Sequence, residues 1–226
     1  HAASIAQKMH AADQGDFSTR QAHYLCEQAL ALSVQGDRAG AKALLEQAIA
    51  AAPDAARARI ELARLQQLMG QPDAVLATLQ TLGERAPAAL PLAAPLMVEA
   101  GNATGRQAEV LARLVAHYEQ SPSLDVLESI VAMEAANDAT QATARARYVQ
   151  HLDKERSLVA AAKWLSAEKL EHEEFHPQIQ RALEHAVKPL TRYRCAACGF
   201  EARQHFWQCP GCQTWDSYPA RRVEEL

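Results

Sequence analysis

The sequence predicts an all-α chain: a run of stacked helical hairpins, followed at its C-terminal end by a small metal ribbon. Three observations carry this. The 226 residues are 49% hydrophobic but only 5% aromatic, and the apolar share is Ala and Leu rather than β-branched residues, which favours helix over sheet. Hairpin landmarks recur at one fixed interval. Four of the five cysteines stand as two Cys-x-x-Cys pairs in YRCAACGFEARQHFWQCPGCQTW, residues 193–215.

The first hairpin is YLCEQALALSVQGDRAGAKALLEQAIAAAPD, residues 24–54. Its first helix is expected to run to about Val34 and stop at Gln35-Gly36, because Gly accepts the left-handed conformation at a helix end. Asp37 then caps a second helix, which must end before Pro53. On that helix Ala41, Leu44, Leu45, Ala48 and Ile49 form an i, i+3, i+4, i+7, i+8 apolar stripe.

Gly36 and Gly70 are 34 residues apart, and so are Pro53 and Pro87, Leu45 and Leu79, Ala29 and Ala63. A looser third copy has Gly105 and Pro122. A fourth has its turn at Asn137-Asp138, with Tyr148 and Leu152 on the second helix. A last hairpin spans roughly Ser157 to Val187. A helix–turn–helix period of 34 residues is that of tetratricopeptide repeats. Stacking such hairpins buries a continuous core and curves the chain into a solenoid with a concave face suited to holding another protein. The predicted division is a repeat domain at 1–187 and a metal-binding domain with its tail at 188–226.

The net charge of −4 gives no basic face for a polyanion, so nucleic acid is not an expected partner. No apolar stretch reaches the roughly 20 residues that span a bilayer, and Lys8, Asp13, Asp16 and Arg20 rule out a signal peptide at the start of the chain. Ile5 to Ala12 read as the end of a helix that begins earlier, so the sequence is expected to be a fragment. One lone thiol beside a metal-spaced cluster points to a reducing compartment.

Nothing in residues 1–187 builds a catalytic constellation. His172-Glu173-Glu174-Phe175-His176 matches the zinc-protease signature H-E-x-x-H. However, Pro177 disfavours helical geometry at His176, the surrounding run is acidic, and Ile179 and Ala182 stand where an extended motif needs Gly and His. It reads as the polar turn between the last two helices. Cys26, among Leu25, Ala29 and Leu30, reads as a small core residue. The protein is expected not to be an enzyme.

Cys195, Cys198, Cys209 and Cys212, with a ten-residue spacer between the pairs, are the candidate ligands of one tetrahedral metal ion, zinc or iron. Gly199 supplies the positive φ a cysteine knuckle requires, and Pro210 stiffens the second knuckle. Half of the chain's aromatic residues crowd here: Tyr193, Phe200, Phe206, Trp207, Trp215 and Tyr218. With four protein sulfurs the site is closed, hence structural rather than catalytic. A ribbon this small cannot fold on apolar burial alone.

Tyr193-Arg194-Cys195, Cys198-Gly199-Phe200 and Trp207-x-Cys209-Pro210-x-Cys212 resemble the two knuckles of a rubredoxin-type domain. The chain departs from that pattern in its short spacer and in Gln213, which stands where Gly is usual. Repeats followed by this ribbon resemble the lipopolysaccharide assembly protein B family, most specifically in YRCAACGF, FWQCPGCQTW and HYLCEQALAL. The resemblance implies a non-enzymatic adaptor on the cytoplasmic side of the bacterial inner membrane, anchored by an N-terminal helix absent here. It also implies control of lipopolysaccharide synthesis through the protease FtsH and its substrate LpxC. The alternative is a rubredoxin-like electron carrier with iron at the four cysteines. The ribbon is further expected to fold back on the helices through its aromatics and through Lys188, Arg192 and Arg194 facing Glu168, Glu171, Glu173 and Glu174.

Overall fold

A computed structural model describes residues 14–137, 140–166 and 173–226. Ile5–Ala12, Asp138, Glu168, Glu171 and His172 lie outside the described residues. The contacts divide the chain into two compact units, His1–Gln107 and Ala108–Leu226.

In the first unit α1 (Gln14–Val34) pairs with α2 (Arg38–Ala51), and α3 (Ala56–Leu68) with α4 (Pro72–Arg85). A short 3₁₀ turn at Pro87–Ala89 leads into α5 (Leu90–Thr104). The expected boundaries hold. α1 ends at Val34, and Asp37 caps α2 by accepting the Gly40 N–H at 2.9 Å. The period is written in the turns: Gly36, Gly70 and Gly105 have φ of 90°, 70° and 69°, the left-handed conformation that ends a helix without a Cβ clash.

Ala41, Leu45 and Ala48 of the predicted stripe are buried, with Leu44 and Ile49 packed at its margin. Cys26 is buried in the same cluster as Ala22, Leu25 and Ala29. Small residues here let the paired helices approach closely; Leu62 and Leu65 of the next hairpin join the same cluster, and Val75, Leu79 and Leu82 are buried on α4.

The second unit contains α6 (Gln107–Gln120), whose first residue belongs to the first unit, then α7 (Leu124–Ala135), α8 (Gln141–Ala144), α9 (Ala146–Lys154), α10 (Leu158–Leu165) and α11 (His176–Val187). The fourth hairpin departs from the repeat because its second helix is broken at Arg145 into α8 and α9. Tyr148 is buried as expected. His151, one turn on, is also buried, and its Nδ1 lies 2.6 Å from the Tyr118 hydroxyl. Burial holds His151 below its ordinary value and pushes Tyr118 up to about 12, with Glu119 and Glu155 adding to it, so the pair is uncharged at neutral pH.

Glu173–Phe175 form a 3₁₀ turn and α11 starts at His176. Pro177 thus sits in the first helical turn, where its missing N–H costs nothing, and does not displace His176 from the helix. His176 Nε2 lies 3.3 Å from the Leu165 carbonyl, at the end of α10, so this imidazole joins two helices. Among the described residues no helix is long and apolar enough to cross a membrane.

After α11 the chain forms β1 (Tyr193–Arg194) and β2 (Glu201–Ala202), an antiparallel pair with Tyr193 opposite Ala202 and Arg194 opposite Glu201. A single bridge joins Gln208 to Trp215.

Candidate metal centre

The two knuckles are built alike. In the first, the Cys195 N–H donates to the Phe200 carbonyl at 2.9 Å and the Gly199 N–H to the Cys195 carbonyl at 2.9 Å. In the second, the Cys209 N–H donates to Thr214 O at 2.9 Å and the Gln213 N–H to Cys209 O at 2.8 Å. Each loop therefore needs a left-handed residue four positions after its first cysteine. Gly199 supplies it with φ 76°, and Gln213 supplies it with φ 61°. The knuckle geometry is kept although the expected Gly is absent. The Gln213 side chain helps to hold the turn by donating to the Pro210 carbonyl at 3.2 Å.

These loops bring Cys195, Cys198, Cys209 and Cys212 together, with all four Sγ atoms within 4.8 Å of one another. Cys195–Cys212 and Cys198–Cys209 are separated by 3.8 and 3.7 Å. A tetrahedral ion with metal–sulfur bonds of about 2.3 Å requires sulfur–sulfur distances of about 3.8 Å, so the four sulfurs form a site that can hold one ion. Cys195 and Cys209 are buried, whereas Cys198 and Cys212 are exposed. Around them, the Gly211 N–H donates to Cys209 Sγ at 3.4 Å, Ser217 Oγ lies 3.2 Å from Cys195 Sγ, and Thr214 Oγ1 lies 3.3 Å from Cys212 Sγ. Such contacts orient ligands and spread thiolate charge. The Thr214 hydroxyl, with its backbone N–H, holds the Cys212 thiol below its ordinary value.

The aromatic cluster has an unexpected centre. The His205 ring meets Trp207 edge-on at 4.7 Å between centroids, Tyr193 at 5.8 Å and Tyr218 at 6.0 Å. Its Nε2 is 3.0 Å from the Tyr218 carbonyl. Phe200, one of the six aromatics crowded in this stretch, is 44% exposed and rests on Gly211.

The ribbon docks on the helices of its own unit; the expected partners Glu168 and Glu171 lie outside the described residues. Arg192 and Arg194 both pair with Glu201, inside the ribbon. Docking centres on Asp125, in the first turn of α7. It accepts the Tyr193 hydroxyl at 3.0 Å and a forked contact from Arg222 at 2.5–3.1 Å. The Arg222 guanidinium lies over the Tyr193 ring at 4.9 Å and donates to Thr191 O at 2.6 Å. Burial alone would lower the Arg222 guanidinium, but its hydrogen bonds and charge attraction to Asp125 raise it above its ordinary value. Burial first, then Asp125, pushes the Tyr193 hydroxyl up.

The tail beyond completes the contact. The Glu225 carboxylate accepts the Leu124 N–H at 2.8 Å. Glu224 accepts the Leu158 and Val159 N–H groups and the Ser157 hydroxyl at 2.5–3.2 Å. Each glutamate thus closes the N-terminus of a different helix, α7 or α10, where both a free N–H and the helix dipole favour an anion. The Val223 and Glu224 N–H groups donate back to Arg192 and Leu190 carbonyls at 2.7 and 3.2 Å. The sequence pattern did not single out Asp125, His205, Arg222, Glu224 or Glu225. The only hint was an unassigned charged run, Arg221-Arg222-Val223-Glu224-Glu225, after the ribbon.

The model of a family described as "Rubredoxin metal binding domain" matches residues 193–218, and a tetratricopeptide repeat model matches residues 35–99. Over 41 residues the chain is 42% identical to lipopolysaccharide assembly protein B of Escherichia coli strain K12, a match covering 18% of this chain and 10% of that protein. The proteins of the same name from Escherichia coli O157:H7 and O6:H1 match to the same extent. The match thus spans about a tenth of the length of these curated relatives. Over the matched stretches the chain is thus similar to a tetratricopeptide-repeat domain and to a rubredoxin-type metal ribbon, and over 41 residues to lipopolysaccharide assembly protein B.

Proposed function

We propose that this chain is a non-enzymatic adaptor whose helical repeats hold partner proteins and whose ribbon, residues 188–226, is a metal-dependent module docked on them. Cys195, Cys198, Cys209 and Cys212 are its metal ligands, with zinc or iron in the site. The observation that carries the reading is the joining, in one chain, of protein-binding repeats to a ribbon similar to that of lipopolysaccharide assembly protein B. On that likeness the chain regulates lipopolysaccharide synthesis at the cytoplasmic side of the inner membrane, by modulating FtsH-dependent proteolysis of LpxC through protein contacts. Its full-length form carries a membrane anchor, and nucleic acid is not a partner. The bound ion supplies a cross-link between two knuckles, and the chain's own residues do the rest: Asp125, Arg222 and Tyr193 fix the ribbon's attitude on α7.

The test is affinity purification of the full-length protein from membranes, with Cys195→Ser as control. Recovery of FtsH or lipopolysaccharide-synthesis proteins with the native sequence, and their loss with the variant, supports an adaptor whose ribbon is part of the working surface. Recovery of neither class sinks the reading. The exposed sulfurs of Cys198 and Cys212 favour one rival, electron transfer at iron. It requires a coloured protein that is reversibly reduced, and a colourless one removes it.

A further inference from the structure

The ribbon leaves two of its four sulfurs open to solvent, and each has a buried one as near neighbour. Exposed Cys212 lies 3.8 Å from buried Cys195, and exposed Cys198 lies 3.7 Å from buried Cys209. A reachable thiolate beside a second thiolate that can resolve it is the arrangement of a redox-responsive cysteine pair. Metal binding keeps all four sulfurs as thiolates, so both exposed positions are nucleophilic while the ion is held.

The same small module anchors the tail. Arg222 rests on Tyr193, two residues before Cys195, and the Val223 and Glu224 N–H groups donate to Arg192 and Leu190 carbonyls in the turn that enters the ribbon. From there Glu224 and Glu225 reach the helix starts at Leu158 and Leu124.

We propose that Cys198 and Cys212 are an oxidation site at which a hydroperoxide expels the metal and, through the tail, uncovers the N-termini of α7 and α10. This rests on the reading of the four cysteines as metal ligands. An exposed thiolate attacks the peroxide O–O bond: the sulfur takes one oxygen as a sulfenic acid, and the other oxygen leaves as hydroxide or alkoxide. The buried neighbour then attacks that sulfur, the S–S bond forms and hydroxide departs. Two thiolates have lost two electrons and the peroxide has gained them. The ion, left with two thiolates, dissociates into water. All four sulfurs lie close together; Cys195–Cys212 at 3.8 Å and Cys198–Cys209 at 3.7 Å are selected because each sets an exposed sulfur beside a buried one across the two knuckles. Without its ion the ribbon lacks a core that can stand alone, and the tail loses its seat.

The zinc-reconstituted full chain is treated with hydrogen peroxide in the presence of a chromogenic zinc chelator, then analysed by mass mapping and hydrogen exchange. The expected result is zinc release with a mass loss of about 2 Da per disulfide, bonds at the two selected pairs, and exchange at the Leu124, Leu158 and Val159 amides faster by about tenfold or more. Thiol reductant with zinc reverses all three. Zinc retained under excess peroxide, or sulfonic acid at Cys198 and Cys212 without any disulfide, overturns the oxidation site. Zinc release with unchanged exchange at those amides overturns the link to the helices. Glu224→Ala with Glu225→Ala leaves the cysteines intact and must free the same amides with zinc still bound; unchanged protection there also breaks the link. A chain that takes up no zinc or iron fails earlier, refuting the ligand assignment itself.

Discussion

In the stacked hairpins of residues 14–107, Ala29, Ala48, Ala63, Leu79 and Leu82 are almost wholly buried. In the ribbon at 193–218, Trp207 and Trp215 stay partly exposed and Phe200 largely so, while full burial is reached by Tyr193, Tyr218, Ser217 and two cysteines. The hairpins exclude water by repeating one apolar layer, each copy covering the last. The ribbon has too little apolar surface for that and gathers its knuckles around a common point of four sulfurs. The two regions therefore draw on different things: the first on side-chain volume, the second on four convergent sulfurs that could hold an ion and on a few polar contacts to α7 and α10.

The sharpest way to break this contrast is to remove the ion. Chelation, or Cys195→Ser, should abolish ribbon structure, because metal binding supplies about 10–16 kcal/mol to a module of this kind. The near-ultraviolet signal of Trp207 and Trp215 should collapse while helical dichroism persists; metal content unchanged in Cys195→Ser would refute the assignment.

The reverse experiment is Leu79→Ala. A fully buried leucine replaced by alanine costs about 2–5 kcal/mol, so thermal unfolding of the helices should move down while metal stoichiometry stays at one ion per chain. Asp125→Ala comes next. It strands Arg222, 21% exposed against Asp125 at 11%, and removes the acceptor of the Tyr193 hydroxyl, at a cost of about 2–3 kcal/mol. The ribbon should keep its ion yet be cut away by limited proteolysis near residues 188–192; cleavage at the native rate would mean that Asp125 does not hold it.

The smallest effects concern the knuckles themselves. Gly199→Ala and Gln213→Gly occupy equivalent positions with φ of 76° and 61°. The first should weaken metal affinity by about 1 kcal/mol, since a Cβ is penalised in this conformation; the second relieves that penalty but loses the hydrogen bond to the Pro210 carbonyl, so its gain should stay below about 0.5 kcal/mol. Competition with a chromogenic chelator reads both signs.

These effects also trace what the sequence discloses. Gly36 and Gly70, Asp37 before its helix, and the two Cys-x-x-Cys pairs are legible because each is a local spacing with a local physical cause. Lys188, Arg192 and Arg194 make the junction basic beside acid-rich helices, yet Arg192 and Arg194 find Glu201, the residue facing Arg194 across a two-stranded pair. Charge proximity along the chain says little when a cross-strand neighbour is available. Asp125 and Arg222 are 97 residues apart, and no period or motif announces such a pair. A lone histidine such as His205 carries no pattern in a sequence, although three aromatic rings converge on it.

Glu225 closes a helix that begins 101 residues earlier, and Glu224 one that begins 66 residues earlier. In the growing polypeptide, each hairpin of the first unit has its partner within about one repeat, so it can settle as it leaves the ribosome. The start of α7 waits for its acceptor for roughly 5–20 s at ordinary elongation rates. During that interval Ser123 and Ser157 already cap their helices, while the Leu124, Leu158 and Val159 amides have only water to donate to until Glu224 and Glu225 emerge.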